Sequence, residues 1–244
     1  MKYLWFLLIL IFFITSVNAA TIGVNIAESL KGNLKSTVEA QDSIMVVASD
    51  FQNIGSVTYN ERSRLDIFEG DNIIFTSWSP EMIVKPGEFE SNKLYWAKTH
   101  EGNFSARLRI YYGGEIEEKE IKVPEMDVFV PGDNFQIYVP RVYGNTLRIF
   151  VKSKTDVKNL IVLPVSYPLG WIVEQEEAGP MEANQLKEVN IDFSAPEFRE
   201  TGLELILMSS DGGYYTTEQI SLKRESGFSM YLNMFLDWLV LKFV

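Results

Sequence analysis

The chain has one histidine and no cysteine. A Ser–His–Asp arrangement would have to use His100, which sits in the turn-like stretch Lys98-Thr99-His100-Glu101-Gly102, and no serine lies in a Gly-x-Ser-x-Gly elbow. Zinc needs several His or Cys ligands, and a single histidine cannot supply them. Carboxylates cluster at residues 115–120 and 174–177. Paired carboxylates on either side of a sugar-binding cleft hydrolyse glycosides. Here they fall on an expected edge strand and an expected acidic loop, so they read as solvated faces. The oxygen-rich turns Glu69-Gly70-Asp71-Asn72 and Asp211-Gly212-Gly213 fall short of the ligand count of a calcium loop. The residues capable of chemistry therefore point away from an enzyme and imply neither cofactor nor metal.

Two features favour binding over catalysis. Asn103-Phe104-Ser105 is an N-glycosylation sequon, which marks Asn103 as a candidate acceptor in an exported protein. Aromatic residues gather at expected strand ends and hairpins, among them Trp78, Tyr95, Trp96, Tyr111, Tyr112, Tyr143, Trp171, Tyr214 and Tyr215. Successive side chains on a strand point to opposite faces, so each adjacent pair should send one ring inward and one outward. Tyr111, Tyr112, Tyr214, Tyr215 and Trp96 are the candidates for rings that meet a sugar or a protein partner. Ordinary core aromatics are the competing reading.

The elements that must position these residues begin after residue 19. Residues 1–19, MKYLWFLLILIFFITSVNA, combine Lys2, an apolar run over residues 4–14, a polar end, and Val17 and Ala19 at the −3 and −1 positions of a cleavage site. That is the anatomy of a signal peptide, and the mature chain is expected to begin at Ala20. A buried first helix or an uncleaved anchor is the alternative. The 244 residues carry a net charge of −11, or −12 once Lys2 is removed. An acidic surface argues against nucleic acid as a partner. An exported chain without cysteine must rest on its hydrophobic core.

From residue 43 onward, short apolar or alternating runs recur between turn residues. Leu65 and Ile67 alternate with Arg64 and Asp66, and the turn at residues 69–72 leads into Asn72-Ile73-Ile74-Phe75. Phe104, Ala106, Leu108, Ile110 and Tyr112 alternate with Ser105, Arg107, Arg109 and Tyr111 before Gly113-Gly114, a two-residue hairpin turn. The stretch Val123-Pro124-Glu125-Met126-Asp127 breaks the rhythm and marks a junction. Strand signals resume at residues 135–139, 146–152, 159–165, 189–193, 203–208 and 214–223. About seven short strands per 100 residues, with no long helix between them, predict an all-β protein of two tandem immunoglobulin-like sandwiches. They cover residues 20–124 and 127–224 and are expected to separate near Pro124.

The first half resembles the CARDB-like family of immunoglobulin-like domains at Phe51-Gln52-Asn53-Ile54-Gly55-Ser56, Val84-Lys85-Pro86-Gly87-Glu88 and Glu101-Gly102-Asn103-Phe104. The second is similar to the NEW3-type domain at Pro168-Leu169-Gly170-Trp171 and Ser194-Ala195-Pro196, while its Pro-Gly-Glu turn is replaced by Gly179-Pro180-Met181-Glu182-Ala183-Asn184. The resemblance implies sandwiches, found for the second family beside carbohydrate-active modules, and it brings no catalytic residues.

After Gly227 the strand rhythm stops. Residues 228–244, FSMYLNMFLDWLVLKFV, predict a hydrophobic helix with Ser229, Asn233 and Asp237 in one narrow polar stripe. Phe228, Tyr231, Leu232, Phe235, Trp238 and Leu239 form the apolar remainder. The expectation is a membrane-associated helix, spanning or interfacial, with a helix docked on the second sandwich as the alternative. The chain is then an exported, membrane-tethered surface protein on the outer face of the cytoplasmic membrane. It would act as adhesion, spacer or assembly module with a protein or glycan partner. The rival reading is a secreted carbohydrate-binding accessory module.

Overall fold

The computed structural model describes residues 30–212, 215–224 and 228–242. The expected signal peptide and Tyr214 lie outside them.

The first half is a sandwich of eight strands: β1 (Gly32–Gln41), β2 (Ile44–Asn53), β3 (Tyr59–Glu69), β4 (Asn72–Trp78), β5 (Met82–Val84), β6 (Phe89–Ala97), β7 (Phe104–Tyr112) and β8 (Glu115–Ile121). Sheet A has the order β1-β2-β6, and sheet B has the order β4-β3-β7-β8 with β5 beside β3. The second half has β9 (Phe135–Tyr143), β10 (Thr146–Ser153), β11 (Val157–Ser166), β12 (Ile172–Val173), β13 (Glu176–Met181), β14 (Leu186–Ser194), β15 (Glu200–Ser209) and β16 (Tyr215–Lys223). Its sheet C has the order β13-β11-β15-β16, and its sheet D has the order β12-β14-β10-β9. The two halves thus repeat one plan. First, second and late strands form one sheet, and the third strand paired with a later one, β3 with β7 or β11 with β15, forms the centre of the other. This is immunoglobulin-like strand order. Every named ladder within the sheets is antiparallel.

The local chemistry explains the turns. Tyr112 pairs with Glu115 across Gly113 and Gly114. Both glycines have positive φ, 53° and 90°, so the right-handed twist of β7 and β8 is carried through two residues without a Cβ clash. The residues read as an acidic loop behave differently. Glu176 and Glu177 lie on β13, paired with Val162 and Ile161 of β11.

Within the first sandwich, Val47, Phe51, Leu65, Ile67, Leu94, Trp96, Leu108 and Ile110 meet between sheets A and B. Leu147, Ile149, Val151, Leu160, Val162, Leu205 and Leu207 fill the second. Strand alternation would send Ile161, Leu163, Ile206 and Met208 to the outer face of sheet C. They are nonetheless buried and belong to the cluster of the first sandwich. Sheet C is therefore covered on both faces, which is why β11 and β15 read as almost continuous apolar runs. Residues 122–134 cross between the halves, and Met126 and Phe129 pack in the first core.

Candidate inter-sandwich cleft

The outer face of sheet B supplies one wall of a cleft. Even-numbered residues of β3 point outward, and the register places Arg64 between Arg109 and Trp78, Arg62 beside Tyr111, and Asp66 between Arg107 and Thr76. Asp66 has no solvent exposure. It accepts from Arg64 at 2.8 Å, Arg109 at 2.8 Å and Thr76 at 2.6 Å. Buried charge survives only when so fully paired. With its guanidinium fixed, Arg64 lies 5.0 Å over the Trp78 ring, and Tyr111 stands 5.4 Å from the same ring.

The second sandwich supplies the opposite wall through residues 165–172. The Tyr167 hydroxyl donates to the Thr76 carbonyl at 3.3 Å, and burial pushes its pKa up to about 12. The space between, about 610 Å³, is lined by Arg64, Ile73, Trp78, Tyr167, Leu169 and Trp171 among others. Ile73, Ile74 and Leu169 remain exposed at its rim.

At the floor of the junction sits Gln175, 5 % exposed. Its carbonyl accepts from the Ser77 hydroxyl at 2.6 Å and the Tyr95 amide at 3.0 Å, and its amide donates to the Lys93 carbonyl. Its own backbone amide donates to the Trp78 carbonyl at 3.0 Å, next to the parallel bridge between Trp78 and Glu174. Gln175 thus satisfies the free edges of β4 and β6 together, and so closes the open side of the first sandwich. Alongside, Arg62 donates to Glu174 at 2.6 Å. Burial raises the Glu174 pKa to about 7, with Asp192, Glu81 and Glu176 adding to the shift and Arg62 opposing it.

The sequence-derived candidates divide. Tyr111 faces outward and lines the neighbouring end of this groove with Trp78 and Ile116. Tyr112 turns inward and packs at a tilt against Phe51 and Tyr59. Trp96 is 3 % exposed against Phe104, and Tyr215 meets Phe129 edge-on in the core. Asn103 is exposed ahead of β7. His100 is half exposed, 3.6 Å from Glu69. Among the described residues no group of three or more His, Cys, Asp or Glu is placed to hold a metal. The cleft carboxylates Asp66 and Glu174 are engaged by arginine. The surface offers stacking, apolar contact and guanidinium groups, which suits binding.

Arg62, Arg64 and Gln175 were not foreseen as site residues. The signal for the first two was present in Asn60-Glu61-Arg62-Ser63-Arg64, because a strand with charge at successive positions must turn one of them inward. That residue is Glu61, 1 % exposed between the sheets. It accepts from Ser63 at 2.7 Å and Asn92 at 2.8 Å.

The last element, α1 (Phe228–Leu241), has 14 residues. No helix among the described residues is long and apolar enough to cross a membrane. The predicted stripe residue Asp237 is 3 % exposed and is clamped by Arg141 of β9 at 3.0 and 2.9 Å. Tyr231, Phe235 and Trp238 are exposed, and Leu239 is half buried. Phe228 and Leu232 lie in the same helix, their side chains outside the described set.

Fold and cleft together define a nearly all-β protein of two immunoglobulin-like sandwiches. The chain matches no family model and no curated protein. The likeness of its turns to CARDB-like and NEW3-type domains therefore reaches the sandwich fold and goes no further. Solved structures with which it superposes include the N-terminal periplasmic domain of ScsB from Proteus mirabilis, at 8 % identity and a TM-score of 0.30, covering 80 % of this chain and 94 % of that one. The fibronectin(III)-like modules of Clostridium thermocellum CbhA superpose at 12 % identity and 0.24, over 80 % and 94 %. Red sea bream transglutaminase does so at 10 % identity and 0.27, over 79 % of this chain, which spans 31 % of that enzyme. At such TM-scores these likenesses carry no argument, and the fold class stands on strand order.

Proposed function

We propose that this is an exported, non-enzymatic surface protein, tethered to the outer face of a membrane, which presents its paired sandwiches as an adhesion, spacer or assembly module. The observation that carries this reading is the aromatic side of α1. Tyr231, Phe235 and Trp238 are 65 %, 57 % and 52 % exposed while the helix buries its carboxylate. An apolar stripe left in water calls for an apolar surface to receive it. Cutting the chain after Arg224 is expected to move it from the membrane fraction to the medium. A full-length mature protein that is monomeric in solution without detergent or lipid, and that ignores vesicles, overturns the tether.

The aromatic cleft favours one rival, a carbohydrate-binding accessory module. On a glycan array, saturable binding that is lost in Tyr111→Ala would favour it over a protein partner.

A further inference from the structure

The helix α1 is amphipathic in the reverse of the usual sense. Its polar side, Asn233 and Asp237, is half buried or buried, while Tyr231, Phe235, Trp238 and Lys242 recur at intervals of four, three and four on the other side. At 3.6 residues per turn that spacing makes a single stripe. Phe235 and Trp238 stack at 6.0 Å, and the Lys242 ammonium lies 3.7 Å over the Trp238 ring. Aromatic rings accompanied by a cation are what settles at the boundary between headgroups and acyl chains.

The clamp fixes how that stripe points. Arg141 stands directly across from Arg148, which shares the outer face of sheet D with Phe150, and Phe150 stands across from Tyr138. Between Tyr138 and Arg141 the ladder shifts by one residue, and Val139 there has φ 50°, a left-handed conformation that is costly for a β-branched residue. Without this bulge the alternation would turn Arg141 into the core. With it, the guanidinium emerges on the outer face and holds Asp237 with two charge-assisted bonds.

A second copy of the chain suits this face poorly. The exposed parts of Tyr231, Phe235, Leu236 and Trp238 amount to roughly 400 Å² if each ring or side chain is about half accessible. A stable protein interface takes about 800 Å² from each partner. The helix as described is also short for a span, since its 14 residues rise roughly 21 Å against an apolar layer of about 30 Å.

We propose that α1 lies in the plane of a bilayer interface, sinks its Tyr231–Phe235–Trp238 stripe among the lipids, and holds the outer face of sheet D towards the membrane. Sheet C covers the opposite side of the second sandwich, and its outer face carries the first sandwich. The first sandwich and its cleft are then displayed on the side away from the lipid. This rests on the tether proposed above and specifies its mode and orientation.

The full mature chain tests it with phosphatidylcholine vesicles. It should sediment with them, and Phe235→Ser with Trp238→Ser should weaken partitioning by roughly tenfold or more. Lipids brominated near the headgroup should quench a tryptophan signal that Trp238→Phe abolishes, and lipids brominated at the bilayer centre should not. Because the chain has no cysteine, Glu188→Cys on the outer face of sheet D and Asp71→Cys in the β3–β4 turn each give one labelling site. Energy transfer to acceptor lipids should be strong from position 188 and weak from position 71. Sedimentation with quenching strongest at the bilayer centre, with no quenching of Trp238, or with the transfer order reversed leaves the tether standing and overturns the in-plane arrangement. Failure to sediment overturns both, as does a stable dimer whose contact shields Trp238 from vesicles.

Discussion

Glu61 sets the pH response at the scale of single residues. Its carboxyl is enclosed between the two sheets of the first sandwich, and burial raises its pKa to about 7, with Ser63 and Asn92 opposing the rise through hydrogen bonds. In the unfolded chain it titrates at its ordinary value, so between pH 4.5 and 7 the folded state holds the extra proton. Stability is then greatest below the lower of these values and falls as pH rises through the folded one. Glu174, also raised to about 7 and chiefly by burial, acts in the same direction at the junction. Urea midpoints measured at pH 5 and pH 8 should show the full chain weaker at pH 8. Glu61→Gln should narrow that gap by about 1–3 kcal/mol, since its amide can serve Ser63 and a turned Asn92 without ionising. An unchanged gap would mean that Glu61 is charged when folded. Glu61 was not singled out in the sequence, and Glu174 was read within the 174–177 cluster as part of a solvated face, since burial depends on which strand face a neighbouring sheet covers. The outward turn of Tyr111 and inward turn of Tyr112 followed from alternation alone, and Trp96 is likewise an inner-face ring, whereas Tyr215 lies on an outer face that Phe129 covers, because alternation says which face a ring takes and not what covers it.

At the scale of elements, hydrophobic rhythm and turn chemistry made most strands legible, from the Gly113-Gly114 hairpin to the runs that became β10, β11 and β15. The elements that escaped were β5, β12 and β13, which are short or acidic and exist because a neighbouring strand offers them an edge. The bulge of β9 was equally hidden, as nothing in Val139-Pro140 announces a positive φ. A left-handed backbone costs an L-residue about 1–2 kcal/mol. Val139→Gly should therefore leave the melting temperature unchanged or raise it, because glycine relieves the strain while adding chain entropy. Pro140 and the Arg141–Asp237 clamp should stay in place. A loss above about 1 kcal/mol would show that the Val139 side chain contributes more by packing than its backbone costs.

The whole molecule turns on how far the halves depend on one another. Composition and the break at Pro124 suggested two modules able to fold alone, since each half has its full complement of strands. The partition of the core argues for dependence. Ile161, Leu163, Ile206 and Met208 bury the outer face of sheet C against the first sandwich, which at about 1.5–3 kcal/mol per side chain amounts to roughly 6–12 kcal/mol. That is as large as the whole stability of a typical domain, about 5–15 kcal/mol. Gln175 adds the cost of leaving the Tyr95 amide, the Lys93 carbonyl and the Ser77 hydroxyl without partners, about 1–3 kcal/mol for each buried group. The full chain should therefore unfold in one transition by calorimetry and by near-ultraviolet circular dichroism alike. Gln175→Ala should lower that single transition by about 2–4 kcal/mol without splitting it. A fragment of residues 127–224 expressed alone should aggregate or melt without cooperativity, because it exposes four large side chains on a flat sheet face. Two separate transitions in the full chain, or a cooperative monomeric 127–224 fragment, would show that the shared face is too weakly coupled to make one rigid body of the pair.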